Sequence, residues 1–283
     1  MVDHAIKSAL RHAAAAIQFL TRFPLPVTVP FERRTAAGSV VYFPLCGALI
    51  GVTGVGAAYL LLLALPPLPA AALTLAIWTA LSGGLHLDGW MDTADGVLSH
   101  RPRERMLEIM KDSRVGAMGV IAGVLLLLLK FAALVSILES GLRPAEAAAL
   151  ICIPVWSRWW MAAAIFGWKY ARGEEGLGSP YRDVRAGHAG RSAAVGAVIT
   201  LIVLAVGELS GADSLPVAAE GVAAPFAGLL SIALWPAAAA AFGWPLAGWL
   251  NRRLGGLTGD TYGALNEWVE AGLLLLAVAL VAG

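Results

Sequence analysis

The sequence predicts an all-α protein of the polytopic membrane class: a helical bundle of about seven transmembrane helices, preceded by an N-terminal amphipathic helix at the membrane interface. Three observations carry that expectation. Of the 283 residues, 59% are hydrophobic and only 14% are charged, against about 25% charged in an ordinary soluble domain. The apolar residues fall into runs near or above the roughly 20 needed to cross a hydrocarbon core of about 30 Å. The basic residues collect in alternate connections between those runs.

At the N-terminus, Val2, Ile6, Leu10, Ala13, Ile17 and Leu20 recur at helical spacing, with Lys7, Ser8 and Arg11 elsewhere on the wheel. This pattern suits a helix lying on the membrane or one packed against the bundle. The run is too short, and too poorly followed by small residues, to read as a signal peptide. Pro24, Pro26 and Pro30 end it, and Glu32-Arg33-Arg34 reads as an aqueous linker. Segment one, Val40 to Leu65, carries Gly47, Gly51, Gly54 and Gly56, small residues that permit close helix approach and suit a homo-oligomer. Segment two is expected from Ala70 to Gly89 as one span running into a polar stretch with Arg101 to Arg114. Segments three and four follow at Val115 to Leu138 and Ala145 to Trp168. After a second basic loop, Lys169 to Arg191, come segment five (Ser192 to Leu209), an acidic turn from Glu208 to Glu220, and segment six (Val222 to Leu250). The loop Asn251 to Gly263 leads into segment seven, Ala264 to Val281. The lone Cys46 and Cys152 read as core residues.

With the N-terminus in the cytoplasm, nearly all of the 20 basic residues fall on that side, and the outer connections keep only Arg143. The expectation is a multi-pass protein of the cell inner membrane with its N-terminus and chemistry facing the cytoplasm. Residues 1–283 read as one integral-membrane domain. Within it, 1–36 form the N-terminal helix and linker, and 83–116 and 251–267 form two chemistry-bearing stretches at one face. A nucleic-acid partner is not expected; the lipid bilayer is.

The chemistry centres on Asp88, Asp92 and Asp95, the only charged side chains between Arg34 and Arg101. At positions i, i+4 and i+7 they share a helix face within about 60°. Three carboxylates on one stripe without a local cation repel each other and resist desolvation. A hard divalent cation relieves this, and Mg²⁺ takes oxygen ligands and phosphates together. Lys111 and Arg114 lie near enough in sequence to neutralise a phosphoanhydride. His86, two residues before Asp88, suits either proton acceptance from an attacking hydroxyl or a supporting hydrogen bond. The glycine-rich loop Gly255 to Gly263 opens the last helix, where backbone N–H groups can hold an anion and Asp260 can complete a metal shell. Asn266 and Glu267, one turn further on, are candidates for the same site, because an intramembrane carboxylate is a functional candidate by default. Arg158 and Lys130 lie within spans and require partners, helix-to-helix pairing being the favoured role.

Two resemblances follow from these strings. Asp92-Thr93-Ala94-Asp95-Gly96 matches the DxxDG core of CDP-alcohol phosphotransferases, but Ser99-His100 stands where that family has Ala-Arg, and its later aspartate pair is missing. GGLHLDGWMDTADG, EIMKDSRVGAMGV and GGLTGDTYGALNE, with QFLTRFPLP and VVYFPLCGALIG before them, together resemble the cobalamin synthase family, also called adenosylcobinamide-GDP ribazoletransferase. That resemblance implies a Mg²⁺-dependent transferase joining adenosylcobinamide-GDP to α-ribazole, or its 5′-phosphate, with release of GMP at the end of vitamin B12 assembly. Carried onto this chain, it implies Asp88, Asp92 and Asp95 as metal ligands with Asp112 and Asp260 as additional ones, and Lys111 and Arg114 as phosphate contacts. A transporter is the other reading, but it calls for charges spread through the membrane depth, and these carboxylates cluster at one face.

Overall fold

The structure, a computed structural model, describes residues 2–209 and 224–281, with side chains described for 4–207 and 232–280. Among the described residues eleven α-helices follow one another: α1 (Val2–Leu20), α2 (Arg33–Ser39), α3 (Phe43–Leu62), α4 (Pro67–Leu81), α5 (Leu85–Val97), α6 (Arg103–Ile109), α7 (Ala117–Glu139), α8 (Pro144–Gly167), α9 (Ala186–Leu209), α10 (Ala224–Leu254) and α11 (Gly259–Val281). Among the described residues the only β pairing is a single bridge between Tyr170 and Leu257.

α1 packs against the bundle at its C-terminal end. Its inner face buries Ala15, Ala16 and Leu20, while Ile6 and Leu10 stay exposed toward its N-terminal end. The residues read as a linker, Arg33 and Arg34, instead open α2, which continues through a 3₁₀ turn (Val40–Tyr42) into α3. α3 lies directly on α8: a Cβ at Gly47 would strike the Pro154 carbonyl, and one at Gly51 would lie 2.8 Å from the Ile151 Cα. These two glycines therefore serve packing within the chain.

Segment two is corrected. The chain does not run straight from Ala70 into the aspartate stripe; α4 and α5 meet at 88°. Gly83 and Gly84, at φ 65° and 71°, make the corner, because left-handed backbone costs glycine least. The stripe is thus carried by a helix of its own. The polar stretch after it also contains a helix, α6, and α9 and α11 begin several residues before the apolar runs that announced them.

Among the described residues five helical stretches are long and apolar enough to cross a membrane, six if the bent α4–α5 pair counts as one. Seven were expected. The remaining expected segment, Val222 to Leu250, falls on α10, which runs through Pro236 and Pro245 without ending. Side chains of α10 are described only from residue 232. The acidic turn expected from Glu208 to Glu220 lies outside the described side chains. The core is centred on α8, buried along most of its length with Ile153, Val155, Trp156, Arg158 and Ala162. Cys46 and Cys152 are buried and unpaired, as expected.

Candidate active site

The site forms where α5 crosses the start of α11. The crossing has no room for side chains: a Cβ at Gly89 would sit 2.6 Å from the Asp260 carbonyl oxygen, and one at Gly263 would sit 3.1 Å from the His86 Cα. This backbone contact brings the aspartate helix against the glycine-rich loop, two stretches about 170 residues apart in sequence. The start of α11 is fixed by reciprocal capping. The Thr258 N–H donates to the Thr261 hydroxyl oxygen at 2.7 Å, and the Thr261 N–H to that of Thr258 at 3.2 Å. A third segment closes over both: the Ala171 N–H donates to the Leu257 carbonyl at 2.7 Å and the Leu257 N–H to that of Lys169 at 2.8 Å. That pairing delivers Arg172, whose Nη2 lies 2.8 Å from Asp260 Oδ2. The same loop is strapped to its neighbours by Glu174, paired with Arg33 and Arg182, and by Glu175, paired with Lys111.

The expected aspartates separate by role. Asp92 lies within electrostatic reach of Asp88, Asp95, Asp260 and Arg172. Among the described residues, the side chains of Asp88 and Asp92 carry no hydrogen bond or ion pair. Asp95 is committed to the neighbouring helix: its two carboxylate oxygens accept the N–H groups of Gly116 and Gly119 at 2.6 and 2.7 Å, capping the first turn of α7. Asp112 lies on the surface, where it accepts from the Arg114 backbone N–H and guanidinium. Those bonds hold its carboxyl down at about 2. Asp112, Lys111 and Arg114 thus have polar partners at the rim.

Among the described residues no group of three His, Cys, Asp or Glu side chains is arranged to hold a metal ion. Two unpartnered carboxylates still fit Mg²⁺, which binds through one or two carboxylates and completes its octahedron with substrate phosphates and water.

His86, Asn266 and Glu267 lie behind this surface, in a buried polar network linking four helices. Lys130 of α7 donates to Glu267 at 2.5 Å and to Glu270 at 2.6 Å. Arg158 of α8 pairs with Glu270, and Ser157 donates to the same carboxylate at 3.4 Å. Two cations thus face two carboxylates, as a buried charge cluster requires. Arg158 Nη2 lies 3.5 Å from His86 Nδ1, and Asn266 Nδ2 lies 3.2 Å from it. A guanidinium only donates, so Nδ1 accepts and Nε2 carries the ring proton. His86 therefore takes the supporting, hydrogen-bonding position and is no free proton acceptor. Among the described residues its Nε2 has no partner.

Sequence reasoning passed over Arg172 and Glu270. Arg172 was one of several cations in a loop, and only the Tyr170–Leu257 pairing singles it out. Glu270 had a legible signal, because it stands one turn after Glu267 on the same helix, where two intramembrane cations still needed partners. The tryptophans divide: Trp156 and Trp160 are buried in the bundle, whereas Trp168 meets exposed Trp244 edge-on at 5.1 Å.

Fold and site together define a polytopic helical membrane protein with an acidic, arginine-capped polar centre at one end of the bundle. The sequence model of the family described as cobalamin-5-phosphate synthase matches residues 12–278, and the chain belongs to that family. A relative from Brevibacillus brevis, named adenosylcobinamide-GDP ribazoletransferase, is 39% identical over 263 residues, covering 93% of this chain and 96% of the relative. Relatives of the same name from Desulforamulus reducens and Synechococcus elongatus are 40% and 38% identical, and each alignment covers more than nine-tenths of both chains. No solved structure matches.

Proposed function

We propose that this protein joins adenosylcobinamide-GDP to α-ribazole, or to its 5′-phosphate, and releases GMP. The supporting observation is the pair of unpartnered carboxylates, Asp88 and Asp92, held by the α5–α11 crossing against Asp260 and Arg172. In the reaction a ribose hydroxyl attacks the corrinoid-linked phosphorus. A new P–O bond forms, the anhydride P–O bond breaks, the hydroxyl proton passes to water and GMP departs. Asp88 and Asp92 are the groups that would hold Mg²⁺, with Asp260 completing the set when Arg172 turns to a phosphate. When bound, the ion neutralises the pyrophosphate and makes the phosphorus more electrophilic. Arg172 steadies the charge gathering on the leaving GMP. Lys111 joins it readily, because its pair with Glu175 is exposed to solvent, which screens it. Asp95 holds α7 beside the site, and Asp112 holds Arg114 at the rim.

The charge bias of the connections supports a centre that faces the cytoplasm from the inner membrane. The test uses purified protein in detergent or liposomes with adenosylcobinamide-GDP, α-ribazole 5′-phosphate and Mg²⁺. GMP release with a new cobamide, abolished by EDTA and by Asp92→Asn, is the expected result. Full activity of Asp92→Asn in correctly inserted protein removes the carboxylate pair from the mechanism.

A further inference from the structure

Beside the acidic centre a cleft of about 530 Å³ penetrates between α1, α5, α8 and α11. Asp88 and Asp260 stand at one side of it. Its remaining wall is apolar and largely aromatic, with Phe19, Phe43, Tyr181, Tyr262, Met161 and Ile165. Tyr181 organises that wall, with ring centroids 5.7 Å from Phe19 and 5.8 Å from Phe43. His86 lines the cleft from the buried network, on a wall that also holds the Tyr181 and Tyr262 hydroxyls; it is 1% exposed, its Nδ1 is engaged and, among the described residues, its Nε2–H has no partner. A buried donor left unpaired is costly, so it marks a place where an acceptor belongs.

We infer that this cleft is the subsite for the base of the acceptor nucleoside, with His86 Nε2–H donating to the base's free ring nitrogen. The inference deepens the transferase reading and rests on it. Chemistry decides the occupant. A guanine presents several donors and acceptors, which a wall built mainly of Phe19, Phe43, Met161 and Ile165 leaves largely unpaired. A benzimidazole-type base offers two planar apolar faces and one sp² nitrogen, which this wall and this donor satisfy. Position agrees, because a base seated here leaves its ribose beside Asp88 and Asp260, where the attacking hydroxyl is needed.

Two acceptors separate the possibilities: α-ribazole, and its indole counterpart in which the free ring nitrogen is replaced by CH. The wild-type enzyme is expected to prefer the nitrogen-bearing acceptor at least about tenfold in kcat/KM, since a site built around a hydrogen bond rejects the analogue that lacks it. His86→Phe is expected to erase that preference. Ile165→Trp, which fills the cleft, is expected to raise the acceptor KM by about tenfold or more, with the KM for adenosylcobinamide-GDP unchanged. Leu177→Trp repeats the experiment from an exposed rim position, 63% accessible, where folding is not at stake. GMP release with equal use of both acceptors, or with unaltered acceptor KM in both tryptophan variants, overturns the subsite. Equilibrium dialysis of α-ribazole against the protein alone distinguishes a failure of the broader reading. Saturable binding lost in the tryptophan variants, without any GMP release, keeps the subsite and sinks the transferase assignment. Absence of binding overturns the subsite.

Discussion

Asp95 offers the sharpest separation between holding the fold and doing chemistry, because it shares a helix face with Asp88 and Asp92 yet has its own structural duty. In Asp95→Asn the side chain keeps one carbonyl oxygen and gains an NH₂ where the second acceptor stood. One of the two backbone N–H groups, on Gly116 or Gly119, then meets a donor. A hydrogen bond to a charged acceptor is worth about 1.5–3 kcal/mol, and the loss of a helix N-cap costs about 0.5–2 kcal/mol. Asp95 is only partly buried, so the lower part of those overlapping ranges applies, and a destabilisation of about 1–1.5 kcal/mol is expected. Thermal unfolding in detergent micelles measures it, alongside turnover per folded molecule well below the midpoint. The variant should unfold earlier but turn over within about threefold of wild type, whereas Asp92→Asn should keep its midpoint and lose turnover. An Asp95→Asn protein with an unshifted midpoint and no activity would refute the anchoring role and return Asp95 to the metal-binding set.

Three further outcomes follow from the same structure. Glu270→Gln strips the buried network of the carboxylate that both Lys130 and Arg158 use, and breaking a buried pair typically costs about 3–5 kcal/mol. Unfolding in detergent should shift accordingly, and an unchanged midpoint would mean the two cations find other partners. Gly89→Ala forces a Cβ to 2.6 Å from the Asp260 carbonyl; such overpacking costs about 1–3 kcal/mol, and turnover should fall with it as α5 leaves α11. The Asp112 carboxyl, held down by the Arg114 guanidinium, should titrate near 2 by NMR, against its ordinary 3.8. Because the folded value is depressed, the Asp112–Arg114 turn is intact above about pH 4 and opens as pH falls toward about 2. Arg114→Ala should return the midpoint to the ordinary range, and an unmoved midpoint would remove the pair as its cause.

The membrane class was legible because it depends on composition and run length, which local sequence carries without reference to partners. The aspartate stripe was legible for the same reason: one helix face with three carboxylates and no cation is a local conflict visible in a window of eight residues. The glycine-rich loop was legible as an opening to the last helix, though not as the surface that α5 touches.

What the sequence by itself determined, then, is what arises within one helix: apolar length, amphipathic α1, the shared face of Asp88, Asp92 and Asp95, and the need of Lys130 and Arg158 for partners. Tertiary structure decided what depends on contact between helices. The 88° corner at Gly83 and Gly84 made the stripe a separate helix. The Gly89–Gly263 crossing placed it against Asp260, and packing on α7 took Asp95 out of the group. Arg158, across the bundle, fixed which nitrogen of His86 holds the proton. A side chain's chemistry is written in its own residue, but its partner is set by the three-dimensional crossing of helices far apart in the chain, and no local pattern records that distance.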